Sequence, residues 1–148
     1  MNPNVKHAER QAILATLDPA SVAASTVVTS WVPIKNFHGI AAELQTGVLG
    51  TSATLDAKLR QAQDSSGTGA KDITGKAITQ IVKASGDNKQ VIIECRSDDM
   101  DMVNGFTHVA LSVTIGTAAS IFGAQLKGVN PRYQPASAFN QAGVVQLV

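Results

Sequence analysis

The sequence predicts a mainly β protein, namely an antiparallel, jelly-roll-like β-sandwich with a short N-terminal helix and an extended C-terminal arm. Apolar residues recur with a period of two in several short runs, as in strands with one buried face. Turn sequences rich in Gly, Asn, Asp and Ser separate these runs. Long segments with the 3.6-residue period of a helix are scarce, and short strands separated by turns are typical of a sandwich.

The N-terminal segment from Asn4 to Leu17 is predicted to be a helix. Its apolar residues fall roughly on one face, and Asp18-Pro19 is expected to end it. A helix of about three to four turns is only marginally stable alone. We therefore expect it to dock on its own domain or on a neighbouring molecule.

Strands are predicted in the runs that follow Thr26. The runs "TVVTSWVPI", "FHGIAAELQTG", "KQVIIECRS" and "SIFGAQLKG" all have strand character. "TLDAKLRQAQ" fits both periods and consists of good helix formers, but we predict a strand because its neighbours are strands and a glycine-rich hairpin follows. The clearest run is "THVALSVTIG", in which one face carries Val109, Leu111, Val113 and Ile115 and the other carries His108, Ala110, Ser112 and Thr114.

The stretch "QDSSGTGAKDITGKAITQIV", residues 63–82, contains a Gly75-Lys76 pair like that of a phosphate-binding loop. That motif requires G-x-x-x-x-G-K followed by Ser or Thr, because backbone N–H groups surround the phosphates and the hydroxyl binds magnesium. Counted from Gly69, the second glycine falls one position late, and Ala77 stands where the hydroxyl is needed. We therefore predict a solvent-exposed hairpin tip followed by a strand in "AITQIV", with Lys76 as a surface lysine near a turn.

Composition limits the function classes. The 148 residues suffice for one domain with its own core, and 44% hydrophobic with 16% charged residues describe a folded protein. A net charge of +1 and only 4% aromatic residues leave no broad basic or stacking surface for nucleic acid. The start "MNPNVKHAER" lacks the apolar run of a signal peptide, and no stretch approaches the ~20 apolar residues of a membrane span. We expect a soluble protein that folds in the cytoplasm, without nucleic-acid or membrane partners.

The residues capable of chemistry are scattered. The acidic turn 98–101 lacks the glycine and the bidentate glutamate of a helical calcium loop. Cys95 shares the apolar phase of its predicted strand, which favours a buried inert thiol over a nucleophile. Trp31 lies in a predicted strand, where a lone tryptophan is more often core than a sugar platform. The histidines fall in three separate segments, at His7, His38 and His108, which disfavours a zinc site. From these observations together we predict no enzyme activity, no metal and no cofactor.

Three stretches between Leu55 and Ala136 carry a pattern: "LDAKLRQAQDSSGTGAKDITGKAITQI", "GFTHVALSVTIGTA" and "NPRYQPAS". The pattern resembles that of small virion proteins of tailed bacteriophages. In these proteins an "LDxKLQ" strand runs into a polar turn and an "xDIxG" stretch, and a "G(F/Y)xxVRxxxT" strand precedes an arm with "PRYxP". This sequence departs from the pattern at Ala110, where arginine is common, and at Arg60, where glutamine is usual. The matching residues are Leu55, Asp56, Lys58, Leu59, Asp64, Asp72, Ile73, Gly75, Gly105, Phe106, Val109, Pro131, Arg132, Tyr133 and Pro135.

The resemblance implies a structural protein of the virion, most specifically a head decoration or cement protein. Such proteins sit on the outer capsid lattice, often as trimers, and clamp adjacent capsid subunits. The implied partners are the major capsid protein and further copies of the chain, with a trimer favoured and no small-molecule substrate. The implied location is the head surface, after assembly in the host cytoplasm. Two alternatives remain: a ring component of the tail or head–tail junction, and a sandwich that binds carbohydrate or a host surface.

The terminal segments are the predicted partner-binding regions. We divide the chain into an N-terminal helix and arm (residues 1–25), a β-sandwich (residues 26–130) and a C-terminal arm (residues 131–148). Tyr and Arg are favoured as interface anchors because they combine a large contact area with directional hydrogen bonds. Both ends packing back on the sandwich is the alternative. The predicted interface residues are Val5, Ile13, Leu14, Leu17, Arg132, Tyr133, Phe139, Val145 and Leu147.

Overall fold

The computed structural model describes residues 4–148 and is built mainly of strands. The two helices are single turns, α1 (His7–Arg10) and α2 (Lys83–Gly86). Short 3₁₀ turns lie at Ser97–Asp99, Met102–Asn104 and Ala136–Phe139. The strands are β1 (Gln11–Val22), β2 (Ser25–Val28), β3 (Val32–Pro33), β4 (Phe37–Thr46), β5 (Thr54–Ala62), β6 (Lys71–Ala77), β7 (Ile81–Val82), β8 (Gln90–Arg96), β9 (His108–Gly116) and β10 (Ser120–Pro131).

The strands form two sheets with a nested order of pairing. Sheet A has the order β1-β10-β4-β8, and sheet B has the order β2-β9-β5-β6. The short β3 and β7 pair with β9 and β5, and every pairing is antiparallel. Eight strands paired first with last, β1–β10, β2–β9, β4–β8 and β5–β6, form a jelly roll. The predicted antiparallel, jelly-roll-like sandwich is confirmed.

The core lies between the two sheets and is filled by alternate residues of the strands. In β5, Leu55, Ala57 and Leu59 are buried, so the strand predicted for the ambiguous "TLDAKLRQAQ" is confirmed. Its helix propensity is overridden because β9 on one side and β6 with β7 on the other take up its backbone hydrogen bonds. Their partners in register on β9, namely Ile115, Val113 and Leu111, are buried in the same cluster, which gives one continuous core.

Strand β9 is buried on both faces, which the alternation in its sequence did not predict. The set from Val109 to Ile115 faces the core as predicted, but Ala110 and Ser112 on the other face are buried too. Their cross-strand neighbours are Arg60 and Lys58, whose long side chains shield the short ones beside them.

The helix predicted from Asn4 to Leu17 is wrong except at His7–Arg10. Only α1 is helical, and the chain continues directly into β1, whose backbone pairs with β10. Asp18-Pro19 does not end a helix but lies in a bulge of β1, where the register shifts between Leu17 and Ala20. Much of the range 1–25 is therefore an edge strand of the sandwich, and residues 1–3 of that range lie outside the described residues.

The strand predicted in "AITQIV" is also misplaced. The hairpin tip after β5 is confirmed, but the returning strand β6 begins at Lys71 and ends at Ala77, and only Ile81–Val82 pair again. Asp72 holds β6 in place because its carboxylate binds Lys58 at 2.7 Å and Arg60 at 3.0 Å, both on β5. Lys76, predicted near a turn, lies within β6 and binds Asp99 at 3.0 Å.

The segment after β10 folds back and covers the beginning of β1 and of β4 in sheet A. Ala136 is buried, and the Phe139 ring packs edge-on against Phe37 with 5.6 Å between ring centroids. Gly128 lies directly beneath the Phe37 ring, since a Cβ at this position would come 2.5 Å from it. A second, smaller apolar cluster thus joins β1, β4 and the C-terminal segment.

Replacing Gly128 by alanine is expected to displace the Phe37 ring and to lower the free energy of unfolding by about 1–3 kcal/mol, as overpacking does in other cores. Denaturant unfolding monitored by circular dichroism measures the change. The matched control is Gly143→Ala, where the nearest atom is 3.6 Å from the added Cβ and no loss is expected. Equal stability of the two variants would show that Phe37 does not need the space above Gly128.

Candidate functional site

The strand directions bring both terminal segments and the longest loops to one end of the sandwich. Pro131 pairs with Phe37, and Pro33 pairs with His108, so β4 and β9 begin where β10 ends. We call this end the arm end; it consists of loops 29–36, 63–70 and 97–107 with residues 4–10 and 131–148. Every aromatic residue except Phe122 lies in or beside it.

The hairpin tip at the arm end is ordered by its own acidic side chain. Asp64 accepts hydrogen bonds from the backbone N–H of Ser66 at 2.9 Å and of Thr68 at 3.1 Å, and from the Thr68 hydroxyl at 2.6 Å. These bonds, that of the Thr68 hydroxyl first, hold the pKa of Asp64 below its usual range. Gly67 and Gly69 take left-handed backbone conformations with φ of 83° and 65°. The loop closes on itself and leaves no cradle of N–H groups for a phosphate.

The acidic turn 98–101 serves the structure. Asp101 accepts hydrogen bonds from Lys71 at 2.6 Å and from the Asn104 amide at 2.9 Å, and Asp99 accepts one from the backbone N–H of Arg96 at 2.8 Å. The Lys71 ammonium also lies 4.1 Å from the centre of the Phe106 ring. Asp98, the third carboxylate of the turn, is exposed and lies 3.6 Å from the Arg96 guanidinium. The described residues contain no cluster of three or more His, Cys, Asp or Glu placed to hold a metal.

Cys95 is buried, as its strand phase predicted. It is 1% exposed within the main core, and burial raises the pKa of its thiol to about 11. Asp99 adds to this rise and Lys76 opposes it, so the thiol stays protonated at neutral pH, unlike the exposed thiolate of a nucleophile.

The predicted N-terminal interface residues do not form one exposed stripe. Leu14 and Leu17 pack against the main core, and Val5 is half-buried. Ile13 is tied to the C-terminal segment through its backbone: its N–H donates to Asn140 Oδ1 at 2.9 Å, and its C=O accepts from the Gln141 N–H at 2.8 Å. The edge of β1 at this point is therefore covered by the chain itself.

The C-terminal interface residues divide into two groups. Phe139 packs on Phe37 and anchors the segment. Arg132 and Tyr133 are exposed, although the Arg132 backbone N–H donates to the Asn36 carbonyl at 2.8 Å. Among the large apolar side chains of the described residues, the four most exposed all lie at the arm end: Val103 (97%), Tyr133 (68%), Val145 (85%) and Val148. Leu147 is 63% exposed.

Val103 was not predicted as an interface residue. It lies in the 3₁₀ turn Met102–Asn104, and Met102 beside it is exposed as well. The only signal in the sequence was "MVNG", a pair of apolar residues before a turn dipeptide, in a stretch where strand periodicity is absent.

A groove of about 720 Å³ runs across the outer face of sheet A. All four strands contribute outward-facing side chains, many of them uncharged amides. Its two charged groups are occupied: Asp18 accepts from the Thr16 hydroxyl at 3.0 Å, and Glu43 binds Lys127 at 2.6 Å. Its exposed apolar side chains are Ile92 and Ile121, and the outward residues between them include Gln45, Gln90, Gln125, Pro19 and Gly123.

No family model matches the sequence, and no curated protein is similar to it. Several solved structures are similar in fold. A carbohydrate-binding module specific for non-crystalline cellulose has a TM-score of 0.49 and 9% identity over 78% of this chain and 73% of its own. A chain from the empty top-component particles of cowpea mosaic virus has a TM-score of 0.42 and 11% identity, over 91% of this chain and 96% of its own. A chain from Triatoma virus has a TM-score of 0.43 and 10% identity, over 95% of this chain and 74% of its own. These similarities concern the fold alone, which the strand pairing establishes independently.

The described helices are single turns, and none of them has the length and apolar character to cross a membrane.

Acid is expected to destabilise the protein through its hydrogen-bonded carboxylates. Lys58, followed by Arg60, holds the pKa of Asp72 below 3.8 in the folded state. The stabilisation is therefore complete above the ordinary pKa of the unfolded chain and is lost as pH falls through the lower folded pKa. Asp99 and Asp101 shift in the same direction. Denaturant midpoints are expected to be flat between about pH 7 and 5 and to fall below about pH 4.

Asp72→Asn is expected to reduce this acid-dependent loss, because the amide does not titrate. Its own cost at neutral pH is small, up to about 1 kcal/mol, since the pair is half exposed. Ser65→Ala in the exposed hairpin tip is the control and should keep the wild-type pH curve. An Asp72→Asn curve parallel to the wild-type curve would contradict the assignment.

Proposed function

We propose that the protein is a structural protein of a bacteriophage virion, and specifically a capsid decoration protein that binds the head lattice through its arm end. The observation that carries the proposal is the exposure of Val103 (97%) and Tyr133 (68%), two of the four most exposed large apolar side chains, on loops at that end. Apolar side chains concentrated in loops on a rigid sandwich are typical of a protein-binding surface. The virion family that the sequence motifs resemble supports the same reading.

The loops of the arm end combine a rigid base with protruding apolar groups. Lys71, Asp101 and Asn104 hold the turn below Val103 in one position, so that little conformational freedom is lost when Val103 is buried. Tyr133 projects from a segment fixed on one side by the Arg132–Asn36 hydrogen bond and on the other by the buried Ala136. Both side chains are therefore presented on anchored backbone.

The mechanism that follows is stabilisation by multivalent binding. One small surface of this type gives modest affinity, but an oligomer that engages several capsid subunits at once raises its effective concentration at each further contact. A trimer matches the three-fold positions of a capsid lattice, which is why we favour this number. Subunits bridged in this way resist separation without any chemical step.

Val103→Asp is expected to weaken binding of the protein to purified capsids by tenfold or more, because a charge would be buried without a partner. Co-sedimentation of the variant with capsids that lack the protein measures the loss. Val82→Asp is the matched control, since Val82 is 41% exposed and pairs with Thr54, at the end of the sandwich opposite the arm end, and should tolerate the charge.

Capsids with and without the bound protein are then heated, and genome release is recorded. The proposal requires that the bound protein raise the release temperature. Particles equally stable with and without it would exclude the cementing role, and copies found in six-fold or twelve-fold rings in particle images would instead assign the protein to the tail or the head–tail junction.

A further inference from the structure

We infer that the protein associates with itself by placing the C-terminal segment Val144–Val148 of one copy in the groove on sheet A of the next copy. This inference concerns contacts between copies and does not depend on capsid binding. It rests on the shape and chemistry of the groove and of the segment, which do not contact each other within one chain.

The groove has the composition of a peptide-binding surface. Its volume of about 720 Å³ lies within the range of ~300–1,000 Å³ that is typical of ligand-binding clefts. Ile92 is 65% exposed at one corner and Ile121 lies at the opposite corner. Between them Gln45, Gln90 and Gln125 present amide groups, which can both donate to and accept from a peptide backbone. No aromatic ring faces the groove, since Phe122 points into the core, so a sugar would find no stacking platform.

The segment has the matching composition. After Arg132 the sequence contains no charged side chain, and it closes with "GVVQLV". Of the two charged groups of the groove, Glu43 is paired with Lys127, and Asp18 accepts a hydrogen bond from the Thr16 hydroxyl at the end of the groove formed by the β1 bulge. A segment without charged side chains can therefore lie over the amides of Gln45, Gln90 and Gln125 without breaking the Glu43–Lys127 ion pair, and the centre of an interface is usually poor in charge.

The dimensions agree as well. Ile92 and Ile121 lie two strands and four residues apart, because Ile92 pairs with Glu43 and the Gly47 N–H donates to the Ile121 carbonyl. At ~4.8 Å between strands and ~3.4 Å per residue, the two corners are roughly 17 Å apart. Five extended residues span roughly 14 Å between their first and last Cα atoms, and their side chains extend this reach.

The chain directs its own segment away from its own groove. The Gln141 side chain donates to the Thr16 hydroxyl at 3.3 Å, and Thr16 lines the groove, so the segment starts at the groove's rim. A turn closed by the Val144 N–H and the Gln141 carbonyl at 3.1 Å then reverses the chain. Residues 144–147 come to lie beside Pro135 and Ser137, where Val145 and Leu147 remain exposed. The occupant that satisfies both surfaces is therefore a second copy.

An interface in which the segment of each copy enters the groove of the next joins two different surfaces. Such a head-to-tail contact closes into a ring when its rotation is a fraction of a full turn. Each member of the ring gives one segment and receives one, so no groove is left empty. The trimer favoured above is a ring of this kind.

The test uses two variants of the full chain and their mixture, measured by sedimentation. Leu147→Asp damages the segment and leaves the groove intact, whereas Ile92→Asp damages the groove and leaves the segment intact. Each is expected to raise the dissociation constant of self-association by about 30-fold or more, as loss of a central contact does. Mixed together, they are expected to form a 1:1 pair that grows no further, because one intact segment meets one intact groove.

Val103→Asp is the control and should associate like the wild type, even where it fails to bind capsids. This separates the inference from the proposed function. A wild-type chain that is monomeric up to about 1 mM would overturn the inference, and so would a mixture that shows no pairing.

A disulfide trap covers the case in which Ile92→Asp does not fold. Ile92→Cys and Leu147→Cys together, in a Cys95→Ser background, are expected to give disulfide-linked oligomers on a denaturing gel, and either cysteine alone should not give the ladder. Cross-linked monomers only would show that the segment enters its own groove, and the inference would be wrong.

Discussion

The pairing of β1 with β10 is the contact on which the rest of the structure depends. It joins the first and last strands of the jelly roll and extends from Gln11 opposite Val129 to Val22 opposite Ser120. Because the strands are antiparallel, the chain enters and leaves the sandwich at the same end. The terminal segments therefore meet, and Ile13 can bond through its backbone to Asn140 and Gln141.

The same pairing creates the two surfaces to which we assign function. The bulge in β1 places Pro19 over Gly123 and raises one wall of the groove on sheet A. The cluster of Phe37, Phe139 and Ala136 then fixes the C-terminal segment beside β1, so that the residues after Gln141 start at the groove's rim. A stability element and a binding element are thus built from the same strands.

Hydrogen-bonded carboxylates order the loops of the arm end. Asp64 and Asp101 each accept several hydrogen bonds, and Asp99 accepts one hydrogen bond and forms an ion pair with Lys76. The pKa of each of these carboxyl groups is lowered as a result. Carboxylates engaged in this way order the loops in which they lie. Loops held rigid at one end of a sandwich are suited to presenting side chains such as Val103 to a partner.

The sequence by itself determined the fold class, most of the strands and the phase of the core, because alternation with a period of two follows directly from strand geometry. In β5 even a segment of good helix formers was correctly predicted from its neighbours. Only the tertiary structure decided the fate of residues 11–22, since an apolar pattern that fits a short helix also fits a bulged strand, and pairing with β10 selects the strand.

The candidate site followed the same division. Tyr133, Val145 and Leu147 are exposed in the segment beyond the last strand, whereas Leu14 and Leu17 pack against the core because residues 11–22 form a strand and not a helix. The groove was invisible in the sequence, because Gln45, Gln90 and Gln125 stand far apart along the chain and meet only when β4, β8 and β10 lie side by side. Local periodicity fixes which way a side chain points; strand order fixes which side chains it meets.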